Sequence, residues 1–428
     1  MPNTNANPNP NRQREGNPKR QREGKRILLL EGIHPGAKSR LEAAGFSVET
    51  EKGGFEGEKL IERAQGFQAI GIRSKTKLTV EVLNKLPELE VIGCFCIGTD
   101  QVALDHANEM GLPVFNAPYS NTRSVAELVM AEMVALSRQL ADRTMQMHKG
   151  VWRKTAAGAN EIRGKILGIV GYGHIGTQVS VLAEAFGLQV IYFDIVKKLP
   201  MGNARPCESL HELLARADFV TLHVPDTSLT RGMMGESELR AMKKGAHLLN
   251  ASRGKVVDIP KLAEMLKSRH IAGAALDVFP AEPASNDQPF VSEVQELENV
   301  ILTPHVGGST EEAQEAIGQE VAESFVRFFK SGATTGVVNF PRIDVADPRE
   351  FPRIVNIHRN VPGVLGAVNG IVSEHGGNIV AQNLATDSKL GYLIMDLGLT
   401  DKTAVNLVVE KIGHLKTSIR TWALNGPV

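Results

Sequence analysis

Residues 165–186 constrain the fold more than any other stretch. An apolar run, Lys165-Ile166-Leu167-Gly168-Ile169-Val170, leads into Gly171-Tyr172-Gly173-His174-Ile175-Gly176, and a helical run at 177–186 follows. A glycine-rich turn alone is weak evidence. With a strand before it and a helix after it, the pattern reads as a nucleotide-binding βαβ turn. Gly171 permits the tight turn, Gly173 lets the backbone approach a pyrophosphate, and Gly176 allows close packing of helix on sheet. The helix N-terminus then offers free N–H groups to the diphosphate. Asp194 ends the next strand-like run, 18 residues beyond Gly176. An acid there accepts hydrogen bonds from the adenosine ribose and repels a 2′-phosphate, which favours NAD over NADP; Lys197 and Lys198 weaken that preference.

The text on either side alternates between strand and helix. Strand-like runs at 26–30, 67–73, 90–97 and 114–116 are separated by helical stretches, so a mostly parallel sheet covered on both faces is expected. One long helical segment from 122 to about 149 should lead out of this first unit. Six runs follow, at 165–170, 190–194, 219–223, 246–251, 271–277 and 300–303, enough for a full dinucleotide-binding sheet. Ser309 and Glu312 have capping-box spacing, so a helix should run from there to about 330 and return to pack on the first unit. Gly332, Gly336, Pro341 and Pro348 mark a linker. From 352 the pattern is strand 353–358, helix 362–375, strands 379–386 and 390–397, helix 402–412 and strand 418–424. That is the ferredoxin-like βαββαβ arrangement, with Pro362 in the first helical turn and Gly376-Gly377 as the stop.

The fold class expected is therefore α/β: two Rossmann-like doubly wound domains, the first discontinuous, plus a C-terminal ferredoxin-like domain. The expected divisions are an extension at 1–24, a substrate-binding domain at 25–121 and 305–340, a nucleotide domain at 122–304, a linker at 341–351 and a regulatory domain at 352–428. The extension is rich in Asn, Pro and Arg and nearly devoid of apolar residues, with a short repeat at Arg12–Gly16 and Arg20–Gly24. It reads as disordered. Lys+Arg and Asp+Glu both total 48, so nothing points to nucleic acid or an anionic membrane as a partner. No apolar run is long enough to span a bilayer. Three cysteines are too few for a disulfide framework, and Cys94 and Cys96 read as buried, reduced thiols rather than a metal or redox pair. A reducing cytoplasm fits, and no metal is expected.

Three polar residues suggest chemistry. Arg253, in Asn250-Ala251-Ser252-Arg253-Gly254, follows an apolar strand, where open α/β sheets place ligands. Its guanidinium can grip a carboxylate through two parallel hydrogen bonds. His305, in Thr303-Pro304-His305-Val306-Gly307-Gly308, is again at a strand end, and imidazole moves protons near neutral pH. Glu282, in Asp277-Val278-Phe279-Pro280-Ala281-Glu282-Pro283, can fix the tautomer of an imidazole and raise its pKa. Taken singly, the three also read as a turn arginine, a surface histidine and a solvated loop acid.

Together with the fingerprint, these segments resemble the D-isomer-specific 2-hydroxyacid dehydrogenases over most of residues 25–340. Within that family the resemblance is strongest to the branch that oxidises D-3-phosphoglycerate to 3-phosphohydroxypyruvate, the first step of L-serine biosynthesis. Ile72-Arg73-Ser74-Lys75-Thr76 and a terminal unit like an ACT regulatory domain support that branch. The resemblance implies Arg253, Glu282 and His305 as catalytic. It implies an NAD site lined by His174, Ile175, Asp194, Ala251, Ser252, Arg253, Asp277, His305, Val306, Gly307 and Gly308. The phosphorylated substrate would be met by Arg73, Ser74 and Asn121. L-serine would act as a feedback effector through His358, Asn360 and Asn378, in a homo-oligomer, by analogy a tetramer. Reduction of 2-oxoglutarate is an expected side reaction. Glyoxylate or hydroxypyruvate reductase and D-lactate dehydrogenase remain as alternatives, and an NADH-sensing corepressor as a more distant one.

Overall fold

The computed structural model describes residues 24–283, 287–348, 350–399 and 401–424. The extension and its repeat lie outside the described residues, Gly24 excepted. The chain divides into two compact units, one of residues up to Asn116 together with those from Val321 onward, the other Ala117–Glu320.

In the first unit β1 (Arg26–Leu29), β2 (Ser47–Thr50), β3 (Ala69–Ile72), β4 (Val91–Cys94) and β5 (Val114–Asn116) form a parallel sheet of order β2-β1-β3-β4-β5. Every residue of β3 and β4 is buried, as befits central parallel strands covered on both faces. The sequence reading lacked β2, an edge strand in which Val48 alone is buried. Helix Glu311–Ser331 sends Val321 and Phe325 onto β4, where a Cβ at Gly93 would come within 2.7 Å of both side chains. Its cap is Thr310 rather than Ser309: Ala313 N–H donates to Thr310 Oγ1 (3.2 Å). The Ser309 N–H is spent on Val306 O (2.8 Å) in the preceding turn, which delays the helix by a residue. The return to the first unit also falls later than 305, because Asp277 holds Val306 and Gly307, and Ser124 bonds Thr310 (2.8 Å).

In the second unit β6 (Ile166–Val170), β7 (Gln189–Phe193), β8 (Arg205–Pro206), β9 (Phe219–Leu222), β10 (Ala246–Asn250), β11 (Ile271–Leu276) and β12 (Val300–Leu302) form a parallel sheet of order β12-β11-β10-β9-β6-β7-β8. The chain reverses direction across the sheet between β6 and β9, and the turn Gly171–Gly176 leaves β6 at that switch point. β8, two residues long and ending in proline, escaped the sequence reading. The segment 122–149 is two helices, Thr122–Arg138 and Leu140–His148, parted by Gln139 in the left-handed region (φ 54°). The first packs Val125, Val129, Met133 and Leu136 against Leu167, Ile169 and Tyr172, so it belongs to this unit's core.

The C-terminal part of the first unit is an antiparallel sheet of β13 (Arg353–Arg359), β14 (Ile379–Thr386), β15 (Leu390–Leu397) and β16 (Ser418–Leu424), ordered β14-β15-β13-β16, with helices Val364–Glu374 and Lys402–Gly413. This is the ferredoxin-like order. Pro362 lies in the turn before the first helix, not in it, because Gly363 takes φ 89° at the cap position. Gly376 (φ 71°) ends the helix as expected. The expected linker is packed rather than loose. Phe340 and Ile343 share a core with Val355, Ile357 and Tyr392, and Thr334 Oγ1 bridges Pro341 O and Ile343 N (both 2.8 Å). Arg420 of β16 donates to Leu89 O and Met110 O, fastening this sheet to the loops before β4 and β5.

Candidate active site

Three loops leaving β10, β11 and β12 converge in the second unit. After β10, Asn250 Oδ1 accepts from Ser252 N (3.1 Å) and Oγ (2.8 Å), while Asn250 Nδ2 donates to Arg253 O (3.0 Å). This knot fixes Ala251, Ser252 and Arg253, leaving the Arg253 guanidinium half-buried with one bond among the described residues, to Ser252 O (2.8 Å). Gly254 must be glycine, since a Cβ would collide with the Phe279 backbone. The contact brings the Arg253 loop against the loop that carries Glu282.

After β12 the chain turns so tightly that His305 adopts φ 54°, with its N–H on Thr303 O (3.0 Å). A β-carbon is disfavoured there, and such strain persists only where the surroundings enforce it. Asp277 enforces it. Fully buried, its carboxylate accepts from Thr303 Oγ1 (2.6 Å), Val306 N (2.8 Å) and Gly307 N (2.8 Å). Asp277 thus holds the turn, a role that the sequence did not disclose. Gly307 and Gly308 leave room for Asp277 and for Asn121: a Cβ at Gly308 would collide with Asn121 Nδ2. Asn121 is buried against this turn, at the N-terminus of helix Thr122–Arg138.

The turn delivers His305 Nδ1 to Glu282 Oε2 at 2.9 Å, while Glu282 Oε1 accepts Phe279 N–H (3.2 Å). The Glu282 hydrogen bond, opposed by burial and helped by the Glu282 and Asp277 charges, holds the imidazole above its ordinary pKa; Arg253 acts against it. Burial pushes the Glu282 carboxyl up, but the His305 hydrogen bond and charge, the Phe279 N–H and Arg253 outweigh it and leave the group below its ordinary value. An ionised Glu282 accepts from Nδ1–H, which leaves Nε2 as the free acceptor. All three candidate catalytic residues therefore share one electrostatic neighbourhood. Glu132 lies near it as well, buried with neither oxygen bonded, its pKa pushed up to about 8 by burial and by Asp277.

At the fingerprint, Gly171 (φ 91°) and Gly176 are demanded by the chain itself, since a Cβ would collide with His223 O and Gly171 O respectively. Gly173 is not: a Cβ there would meet nothing within 4 Å, so the protein's own packing does not require glycine at this position. Helix His174–Ala185 starts there without a side-chain cap, and its first N–H groups suit a diphosphate. His174 is exposed and Ile175 half-buried. Asp194 Oδ2 accepts Tyr172 N–H (2.9 Å), which places the acid at the fingerprint. The donor set fits a dinucleotide.

In the first unit Arg73 is half-exposed, Ser74 and Lys75 are exposed, and the Arg73 guanidinium has no partner among the described residues. The three candidate effector residues do not come together. His358 is buried, its Nδ1 on Asn356 Oδ1 (2.9 Å) and its ring filling the space beside Gly391; burial lowers its pKa. Asn360 N–H bonds Lys389 O (2.8 Å) and Asn378 O accepts Gly398 N–H (2.7 Å), so these two lie beyond opposite ends of β15. Eight residues of strand, roughly 25 Å, separate them.

Residues 130–307 match the family described as the D-isomer specific 2-hydroxyacid dehydrogenase, NAD binding domain, and 354–420 match the AHAS small subunit-like ACT domain. The chain is 52% identical to a D-3-phosphoglycerate dehydrogenase of Dictyostelium discoideum, over 93% of this chain and 97% of that protein. It is 50% identical to one from Escherichia coli K12, over 89% and 92%. Among solved structures it resembles the TT0316 protein of Thermus thermophilus (TM-score 0.64, 32% identity, 70% of this chain and 95% of that one). It also resembles an Aquifex aeolicus D-lactate dehydrogenase complexed with NAD and lactic acid (TM-score 0.62, 28% identity, 71% and 95%).

Proposed function

The chain belongs to the D-isomer-specific 2-hydroxyacid dehydrogenase family, and from that premise we propose that it oxidises D-3-phosphoglycerate to 3-phosphohydroxypyruvate, opening L-serine biosynthesis. It is an NAD-dependent oxidoreductase. The observation that carries the reading is the Glu282–His305 pair, mounted on a strained turn within the field of Arg253.

NAD, when bound, supplies the acceptor for the hydride of substrate C2. In this reading Gly171, Gly173, His174, Ile175 and Gly176 receive the diphosphate and Asp194 the adenosine ribose. Ala251, Ser252, Val306, Gly307 and Gly308 complete the pocket wall, and Asp277 supports it from behind. Arg253 pairs with the substrate carboxylate and polarises C2. His305 Nε2 takes the C2 hydroxyl proton as the hydride departs, and Glu282 stabilises the imidazolium that results. In the reverse direction the imidazolium returns that proton to the alkoxide. Arg73 and Ser74 supply phosphate recognition, and Asn121, packed beside Gly308, faces the substrate. A 2-oxoacid with a second carboxylate, such as 2-oxoglutarate, offers two similar anchors, and its reduction is the side reaction we propose.

Regulation by L-serine and assembly as a homotetramer belong to the same proposal. One copy keeps Asn360 and Asn378 apart, whereas two copies paired antiparallel along the open edge of β14 would bring the Asn378 of one toward the Asn360 of the other. Met145, Met147, Val151 and Trp152 expose a second apolar surface, and Trp152 is 78% exposed. Two different self-contacts suffice for a tetramer. No helix among the described residues is long and apolar enough to cross a membrane.

The test is NAD reduction with D-3-phosphoglycerate, with hydrazine trapping the keto product, in the presence and absence of L-serine. Activity suppressed by serine supports enzyme and sensor together. Activity indifferent to serine removes the sensor. Activity on D-lactate or D-glycerate alone overturns the substrate assignment.

A further inference from the structure

We propose that Glu31 is a positioning residue for the substrate phosphate: its carboxylate occupies the backbone N–H groups of Arg73, Lys75 and Thr76 and so presents Arg73, Ser74 and Lys75 by their side chains. The inference rests on the reading of this loop as the phosphate-recognising element.

Just beyond β1 come two consecutive left-handed residues, Glu31 (φ 62°) and Gly32 (φ 60°). Glycine adopts that conformation freely and glutamate does not, so something must compensate at residue 31. Part of the answer is local, since Glu31 N–H bonds Gly53 O (3.0 Å) and Gly32 N–H bonds Glu51 O (2.9 Å). The rest lies in the side chain. Glu31 Oε1 accepts from Arg73 N (3.1 Å) and Thr76 N (2.8 Å), and Oε2 from Lys75 N (2.9 Å). These are charge-assisted bonds to a carboxylate that is only 9% exposed. Gly54 closes over it, since a Cβ there would come within 2.9 Å of Thr76 Oγ1 and 3.5 Å of Glu31 Cγ. From the other side Gln101 Nε2 donates to Arg73 O (2.6 Å). Both polar groups of the Arg73 backbone are therefore fixed.

Clustered backbone N–H groups are a ready anion nest, and a phosphate could have used this one. The chain has filled it with its own carboxylate. A phosphate approaching the loop finds the Arg73 guanidinium, the Ser74 hydroxyl and the Lys75 ammonium, with a negative charge behind them that keeps it at their tips. Recognition then depends on cation placement, which the buried acid sets.

Glu31→Gln in the full-length chain keeps the size of the side chain and removes its charge. KM for D-3-phosphoglycerate should rise about tenfold, with kcat changed by less than about threefold. KM for NAD and kcat/KM for D-glycerate, which lacks the phosphate, should stay at wild-type values. An equal loss on both hydroxyacids, or none on either, overturns the proposal. Should Glu31→Gln fail to fold, as shown by lost NADH binding, Gln101→Ala decides: a selective rise of about threefold in KM for the phosphorylated substrate supports it, and no selective rise overturns it. Arg73→Ala separates the two layers of argument. If that variant leaves the preference for the phosphorylated substrate intact, the reading of the loop fails. If it removes the preference and Glu31→Gln does not, only the positioning role fails.

Discussion

Two loops are tied down by the same device and use it to opposite ends. The turn bearing His305 hangs from Asp277, whose carboxylate takes two backbone N–H groups and a hydroxyl. The loop bearing Arg73 hangs from Glu31, whose carboxylate takes three backbone N–H groups. In the first, the strained residue is the one that receives support, His305 itself (φ 54°); in the second it is the one that gives support, Glu31 (φ 62°). A proton acceptor, the role proposed for His305, must hold one atom within a few tenths of an ångström, which suits a residue pinned by both backbone and side chain. On the proposed reading a cation meeting a phosphate tolerates more freedom, which suits a loop whose backbone is pinned and whose side chain is left to find its partner.

The contrast is sharpest at His305. His305→Ala should lower turnover by about 10²–10⁴-fold while NADH binding, followed by fluorescence titration, persists. Unchanged turnover would end the assignment. Asp277→Asn comes next. One acceptor oxygen is lost and an amide faces an N–H, so the turn relaxes and kcat should fall by about 10²-fold. The Arg73 loop should answer in KM; were Asp277→Asn to act on KM alone, the two loops would not differ as argued.

A smaller effect is expected in the pH profile. In the proposed mechanism His305 must be neutral to accept the proton, so oxidation should fall as pH drops through its pKa. Glu282, chiefly by its hydrogen bond, raises that pKa. Glu282→Gln should therefore move the acid limb of kcat/KM to lower pH, with a reduced plateau from the lost tautomer control. A limb that stays in place would show that another group sets it.

Smallest is an effect on stability. Burial, then Asp277, raises the Glu132 carboxyl from 4.5 to about 8. The unfolded chain releases this proton near 4.5 and the folded chain keeps it until about 8. Stability from this group is thus complete at low pH, falls between those values and levels off above. Glu132→Gln should lack that fall, so the Tm gap in its favour should widen from about pH 5 to about pH 8. Parallel Tm curves would place the charge elsewhere.

What the sequence revealed follows the same division between side chain and backbone. The C-terminal strands were readable nearly to the residue because they are long and bounded by Gly376, Asp387 and Asp401. β2 and β8 were not, being short edge strands without apolar alternation. The break at Gln139 carries no glycine or proline; Arg143, four residues on, donates to its side chain (3.0 Å), a contact without a distinctive local pattern. Arg253, Glu282 and His305 stood out because their chemistry is written in residue type. Glu31 and the anchoring role of Asp277 did not, since all but one of their partners are main-chain N–H groups in the loops after β3 and β12, and main-chain groups look alike in any sequence. Gly173 lies between these cases: its motif was plain, but only the space around it separates it from Gly171 and Gly176, which the fold itself requires.

The separation of Asn360 from Asn378 has a consequence for how the protein would respond in dilute solution. If one effector molecule must touch both, the sensor is a pair of half-sites and its occupancy depends on the concentration of the chain as well as of the effector. Arg253, Glu282 and His305 come from a single chain and carry no such dependence. Dilution would then silence the sensor before it silences the chemistry, and the enzyme would be most restrained where it is most abundant.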